Sequence, residues 1–269
     1  MACTGRRRSS VVSTFDVTAR RVQILDPLGR AYRQAFETFV ASTDQVRLAK
    51  QYLTAVVDQL PHRRIMIDAG AGEGGPTRWL APSFLRTIAL EPDPLRLPGL
   101  RTNCPTAEVL PATIDQAYID VRADLVLCCH VLYHLPRSRW AANVCRMLGW
   151  LAPEGELVIV LENPASDNMR MVAELSGVTL DLAELAAQLD VPCTLETVPS
   201  TVHTETLEDA VTIAQFVFGF APLNALPDRE TLTDYVRRRF ADPAGGYTFT
   251  CTQDFLRLRR PGFHQMDAR

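Results

Sequence analysis

An apolar run that empties into closely spaced glycines, IDAGAGEGGPT at residues 67–77, narrows the folds open to this chain more than any other stretch. A hydrophobic strand followed at once by a turn of Gly70, Gly72 and Gly75 is a nucleotide cradle, in which bare backbone approaches the ligand at a helix N-terminus. Such a unit calls for a parallel sheet with further strand and helix on either side.

The neighbouring sequence supplies them. Two amphipathic helices come first. One spans 28–41, with Tyr32, Phe36 and Phe39 on one face; the next is capped by Ser42 or Thr43 and repeats Leu48, Tyr52, Val56 and Leu60 every four residues. Strands are then expected at 64–69, 87–91, 107–110, 123–129 and 155–162, alternating with helices near 76–81, 93–101 and 138–150. A helix at 180–189 and a strand through TLETVPSTVHTE follow. After them come a helical stretch over 205–241, a turn at 244–246, and a closing strand in GYTFTCTQDFLRLR. The pattern predicts one doubly wound α/β domain over 21–269 with a mostly parallel sheet. A helical cap occupies 21–60, the nucleotide-binding core 61–162 and the substrate-side strands 163–269, with a helical insertion before the last strand. Residues 1–20 read as a flexible basic tail.

Composition excludes several roles. A net charge of -3 and a pI near 6.0 argue against nucleic acid or an anionic membrane as partner and favour a small molecule. Nothing reaches membrane-spanning length and the three arginines near the start precede no apolar run, so a cytoplasmic protein, monomeric or homodimeric, is expected. Lys50 is the only lysine, a bias that suggests a GC-rich bacterial source. The seven cysteines form no CxxC and read as buried thiols. His130 and His134 have HxxxH spacing but straddle a strand end without a third ligand, so no metal is expected.

The glycines alone leave two nucleotides open, because Gly70, Gly72 and Gly75 with Glu91 satisfy the dinucleotide fingerprint. Asp68 discriminates. A carboxylate two positions ahead of Gly70 would repel a pyrophosphate and suits a cationic ligand such as S-adenosylmethionine, which carries an ammonium and a sulfonium. Glu91 can accept a ribose diol in either case. The strand ADLVLCC leads into His130, Tyr133 and His134, which face the reactive end of a ligand at the switch point.

The combination DxGxGxG, LEPD and ADLVLCCHVLYHL resembles class I S-adenosylmethionine-dependent methyltransferases, implying their Rossmann-like sheet. YRQAFETFVASTDQ, LPHRRIMIDAGAGEG, HVLYHLP, AQFVFGF and YTFTCTQDFLRL, in that order, further resemble the histamine N-methyltransferase family. The resemblance implies S-adenosylmethionine as cofactor, held by Asp68, Gly70, Ala71, Gly72, Glu91, Pro92, Asp115 and His130. It also implies a substrate pocket of Asp44, Tyr32, Phe36, Tyr133, His134, Phe216, Phe220 and Cys251. Cys251 stands where the family has a substrate-binding asparagine whose amide hydrogen bonds a thiol cannot reproduce. Asp44 has a second reading, as a helix-dipole partner of the following helix.

Methyl transfer from a sulfonium is an in-line displacement, so positioning is the main demand. His134, then His130 and Tyr133, are the candidate catalytic residues. Three activities stay open: N-methylation of an amine, imidazole or guanidine, O-methylation with a histidine base, and a non-catalytic cofactor-binding scaffold.

Overall fold

The computed structural model describes residues 21–26, 29–220 and 226–260; the expected basic tail lies outside them. Helices α1 (Arg30–Ser42) and α2 (Gln45–Asp58) open the fold. Helix α2 buries Ala49, Leu53, Val56 and Val57, so the apolar stripe lies one residue on from most of the expected repeat. The wound core follows: β1 (Ile65–Ala69), α3 (Gly75–Leu80), β2 (Arg86–Leu90), α4 (Leu97–Asn103), β3 (Glu108–Leu110), β4 (Ala123–Cys129), α5 (Trp140–Gly149) and β5 (Leu151–Glu162). Then come α6 (Asp167–Ser176), α7 (Leu182–Ala186), β6 (Cys193–Val198), β7 (Thr201–Thr204), α8 (Leu207–Val217), α9 (Arg229–Arg239), β8 (Tyr247–Thr250) and β9 (Gln253–Arg259).

Seven strands form one sheet in the order β3-β2-β1-β4-β5-β9-β6. The first five are parallel, while β9 runs antiparallel to both β5 and β6. Alternate residues explain why both faces are covered. Ile67, Val126, Cys128, Ile159 and Leu256 point to a core roofed by Trp140, Val144 and Met147 of α5. Met66, Leu125, Leu127, Val158 and Phe255 point to the opposite core under Leu53 and Val56 of α2. Strand order reverses between β1 and β4, which opens a crevice beyond their carboxyl ends.

Two expected strands each break in two. TLETVPSTVHTE divides into β6 and β7, and the closing strand into β8 and β9, so β7 and β8 leave the main sheet as a separate antiparallel ribbon. Pro199 has no N–H to continue the ladder. The corner is stitched instead by Cys251 N–H donating to the Ser200 carbonyl at 2.9 Å and the Ser200 hydroxyl donating to the Cys251 carbonyl at 2.7 Å. Helix α6, absent from the sequence expectation, fills the space beneath the ribbon. Its Asp167 carboxylate accepts from the backbone N–H and hydroxyl of Thr250. The helix expected at 180–189 contracts to α7, where the Asp181 carboxylate caps Ala183 N–H at 2.7 Å.

The cap and the insertion share a second core. Phe39 of α1, Val211, Ile213 and Phe216 of α8, Leu232 and Val236 of α9, and Phe249 of β8 bury one another. Thiol burial is mixed: Cys104, Cys128 and Cys251 are buried, whereas Cys145 and Cys193 are exposed. That departs from the expectation of uniformly buried cysteines.

Candidate active site

Beyond β1 the chain turns through three left-handed glycines, Gly70 (φ 106), Gly72 (φ 58) and Gly74 (φ 86). The third constrained position is Gly74, and Gly75 instead opens α3 with nothing near the place of its missing side chain. The dinucleotide spacing is therefore met in letters and not in backbone shape. A Cβ on Gly70 would lie 2.4 Å from Val131 Cγ2, and one on Gly74 would lie 2.5 Å from Cys104 Sγ. The turn is held down by Gly70 and Ala71 N–H groups donating to the Leu90 carbonyl at 3.0 and 2.8 Å.

Two carboxylates flank this turn. Glu91 accepts from Gly72 N–H and Asp93 N–H, both at 2.8 Å, so each oxygen keeps a lone pair for a ribose hydroxyl. Asp68 is 1% exposed; its Oδ2 accepts from the Thr77 hydroxyl at 2.6 Å. Its Oδ1 is buried without a hydrogen-bond partner among the described residues. Burial pushes the carboxyl up to about 7 and the charge of Glu91 pushes the same way, against the Thr77 hydrogen bond. A buried acceptor oxygen lacking a donor, beside a glycine turn, fits a ligand bearing an ammonium group. The residues present thus suit S-adenosylmethionine.

Across the crevice, His130 follows β4 with φ 57, the one non-glycine at positive φ among the described residues. It is held there by its N–H donating to the Val160 carbonyl at 2.9 Å and by its ring. Gln253 Nε2 lies 2.7 Å from His130 Nε2 and the Tyr133 hydroxyl 3.4 Å from Nδ1. With the Gln253 amide donating, Nε2 accepts and the neutral ring carries its proton on Nδ1. Burial, aided by the nearby His134, drives the His130 pKa down to about 4. Tyr133 is 2% exposed, and its hydroxyl accepts from Glu162 N–H. Burial raises its pKa far above the ordinary value. His134, on the outer side of the same turn, is exposed; partial burial and the charge of Arg96 lower its pKa.

The cap reaches this crevice from the other side. Tyr32, Phe36 and Phe39 of α1 surround Phe216 of α8 with ring centroids 5.2, 6.0 and 5.8 Å away. Phe39 is core, whereas Phe36 stays 47% exposed. Burial raises the pKa of the Tyr32 phenol, the nearby Arg96 lowers it, and the charge of Glu73, on the glycine turn, raises it. Phe220 ends this segment, but its side chain lies outside the described residues.

Other sequence-predicted residues are engaged elsewhere. The Asp44 carboxylate accepts from Thr201 N–H at 2.9 Å and approaches Arg47 at 3.6 Å, without capping α2 by its side chain. Its place is thus at the junction of cap and ribbon. Cys251 was expected on the pocket floor, yet it is 0% exposed in the second core, with Sγ 3.2 Å from the Thr43 hydroxyl. The break of the closing strand turns it inward. Asp115, on the loop after β3, accepts from the Thr113 hydroxyl at 2.6 Å and from Arg139 at 3.1 Å. Pro92 is exposed beside Glu91, and Ala71 is buried under the glycine turn.

Four contributors were not singled out from the sequence. Thr77 holds Asp68, Gln253 holds His130, and Arg96 joins the cap to the glycine turn. The fourth, Glu162 at the end of β5, is 2% exposed and accepts from Gln45 and Asn168 amides at 2.6 and 3.2 Å. Burial pushes its pKa up to about 8. Only Thr77 had a local signal, standing at the first turn of the helix that the glycines open. Among the described residues, no group of three or more His, Cys, Asp or Glu side chains is placed to hold a metal, and no helix is long and apolar enough to cross a membrane.

With this geometry, residues 67–159, from β1 to β5, match the profile of a family described as a methyltransferase domain. No curated protein matches the sequence. Similar solved structures include a candidate methyltransferase of Bacillus halodurans C-125, 16% identical with a TM-score of 0.60, covering 79% of this chain and 98% of that one. The YcgJ protein of Bacillus subtilis is 13% identical with a TM-score of 0.55, covering 78% of this chain and 98% of that one. The N-methyltransferase NodS of Bradyrhizobium japonicum WM9, solved with S-adenosylhomocysteine, is 16% identical with a TM-score of 0.52, covering 80% of this chain and 87% of that one. At these identities the likeness is one of fold.

Proposed function

We propose that this chain, an S-adenosylmethionine-dependent methyltransferase with a Rossmann-like fold, methylates a nitrogen of a small molecule, an amine, imidazole or guanidine. The setting we infer is cytoplasmic, in bacterial secondary metabolism. The resemblance to histamine N-methyltransferases motivates the acceptor class, and the aromatic cap of Tyr32, Phe36 and Phe216 supports a small acceptor roofed by the N-terminal helices.

The state of the residues after β4 carries the choice of nitrogen over oxygen. A hydroxyl acceptor needs a base to take its proton, and His130, with a pKa near 4, is a weak one. Tyr133 is held protonated by burial. A neutral amine needs no base before attack.

In this reading the cofactor, when bound, supplies a methyl group on a sulfonium leaving group. Asp68 Oδ1 would receive its ammonium, and Glu91 would receive the ribose hydroxyls while keeping the glycine turn closed. His130, locked by Gln253 and Tyr133, is a rigid neutral wall beside the acceptor. The transfer it would support is a single in-line displacement, so these residues would serve to bind, orient and keep water from an acceptor nitrogen opposite the methyl group. The proton then lost by the methylated nitrogen passes outward by way of exposed His134.

His134→Ala separates nitrogen from oxygen. For a nitrogen acceptor, kcat measured with labelled methyl donor is expected to fall by no more than about tenfold. Loss of roughly a hundredfold or more, the cost of removing a true general base, would instead favour the hydroxyl reading with His134 as that base.

A further inference from the structure

The guanidinium of Arg96 stands where three parts of the fold meet. Arg96 caps the start of α4, yet its side chain reaches back across the glycine turn, with Nη1 3.4 Å from the point a Cβ on Gly72 would occupy. From the cap, Tyr32 lies close enough for Arg96 to lower the pKa of its phenol. From the turn after β4, His134 feels its charge. Glycine turn, cap and post-β4 turn are also the three walls around the crevice at the switch point. A cation at their junction faces whatever enters beside the cofactor.

That cation is weakly neutralised. Among the described residues its one ion pair is to Asp93, with Nε 3.6 Å from Oδ2, beyond a hydrogen bond, while Asp93 Oδ1 accepts from Leu95 N–H at 2.9 Å. Arginine carries five N–H donors in a planar fork that matches a carboxylate, and the side chain here is 28% exposed, with only the long Asp93 contact as an ion pair among the described residues. The Asp93 contact is made by Nε, which leaves the Nη end toward Gly72 and Tyr32.

We propose that Arg96 is a specificity-determining residue that selects an acceptor carrying a carboxylate in addition to its nucleophilic nitrogen. The inference rests on the methyltransferase reading and narrows its acceptor class. A simple cationic amine meets a like charge at the mouth; an amine or imidazole with an acidic arm meets a fork that receives the arm. Tyr32, beside Arg96, adds its hydroxyl to the same group and draws α1 down over the bound acceptor.

The test uses the full chain loaded with S-adenosylhomocysteine, and calorimetric binding of two matched pairs, imidazole-4-acetate against histamine and 4-(aminomethyl)benzoate against 1,4-bis(aminomethyl)benzene. A charge-assisted hydrogen bond to the acid predicts that at least one acid binds about tenfold to a hundredfold more tightly than its amine partner in the wild type. In Arg96→Gln that preference is expected to vanish while S-adenosylhomocysteine binds as before. Arg96→Lys, which keeps the charge and loses the fork, is expected to retain part of it. A wild-type protein that binds S-adenosylhomocysteine yet shows no preference for either acid, through equal or absent binding, overturns the proposal. So does a preference unchanged by Arg96→Gln, or a loss of S-adenosylhomocysteine affinity in that variant, which would assign Arg96 to the cofactor. Failure of the wild type to bind S-adenosylhomocysteine at all would overturn the methyltransferase reading beneath it.

Discussion

Asp68→Asn is expected to weaken S-adenosylhomocysteine binding by roughly two to three orders of magnitude, the usual consequence of removing one partner of a buried charge pair. The substitution is nearly isosteric and leaves an amide oxygen for the Thr77 hydroxyl, so the glycine turn should survive it. What disappears is the anion at Oδ1, the buried oxygen that has no partner among the described residues. Stability should move in the opposite direction. The folded pKa near 7 lies above the ordinary carboxylate value, so the group's contribution to stability is complete below that ordinary value and is lost as pH rises through 7. The ligand-free wild type should therefore melt lower, relative to Asp68→Asn, at pH 8 than at pH 5. Glu162 titrates in the same sense but is common to both proteins, so the difference isolates Asp68. Affinity for the cofactor product should rise with pH up to about 7 in the wild type and stay flat in the variant. Equal affinities in the two proteins across pH 6–8 would remove Asp68 from the cofactor site.

This coupling explains why the cradle was legible before the fold. Gly70, Gly72 and Asp68 do their work through their own backbone or through a neighbour nine residues away, so the signal lies inside one short stretch. Strands β1, β4 and β5 were legible for a related reason: both of their faces are buried, which leaves the apolar runs 65–67, 125–129 and 157–161 free of charge. The substrate side follows another logic. Asp44 is claimed by Thr201, 157 residues on, and Glu162 by Gln45, 117 residues back. No local pattern announces such a partner. Cys251 shows the consequence: the resemblance implied a place in the substrate pocket, but the closing strand breaks at Cys251 between β8 and β9, the residue is tied to Ser200 of the facing corner, and the thiol lies in a core. Arg96 escaped notice because an arginine after LEPDPL reads as a solvated helix start; only the arrival of Tyr32 and His134 from distant segments gives it a setting.

Gly70→Ala should be strongly damaging, for two reasons that can be measured separately. The φ of 106 lies outside the left-handed helical well as well as the right-handed ones, a backbone state costing about 1–3 kcal/mol for a residue with a Cβ. The new methyl would also stand 2.4 Å from Val131 Cγ2, and overpacking of this kind costs a further 1–3 kcal/mol or so. Together these predict a melting temperature lower by roughly 5–15 °C in a domain of this size. Val131→Ala removes the methyl groups that collide, leaving Val131 Cβ 3.3 Å from the new atom, a contact that a shift of a few tenths of an ångström relieves. The double variant should thus recover the packing part of the loss and keep the backbone part, a favourable coupling of about 1–2 kcal/mol between contacting residues. Strictly additive losses would mean that the turn yields by moving away from Val131. In that case the close approach of the glycine turn to the post-β4 turn, which sets the distance between Asp68 and His130 across the crevice, would be looser than its geometry implies.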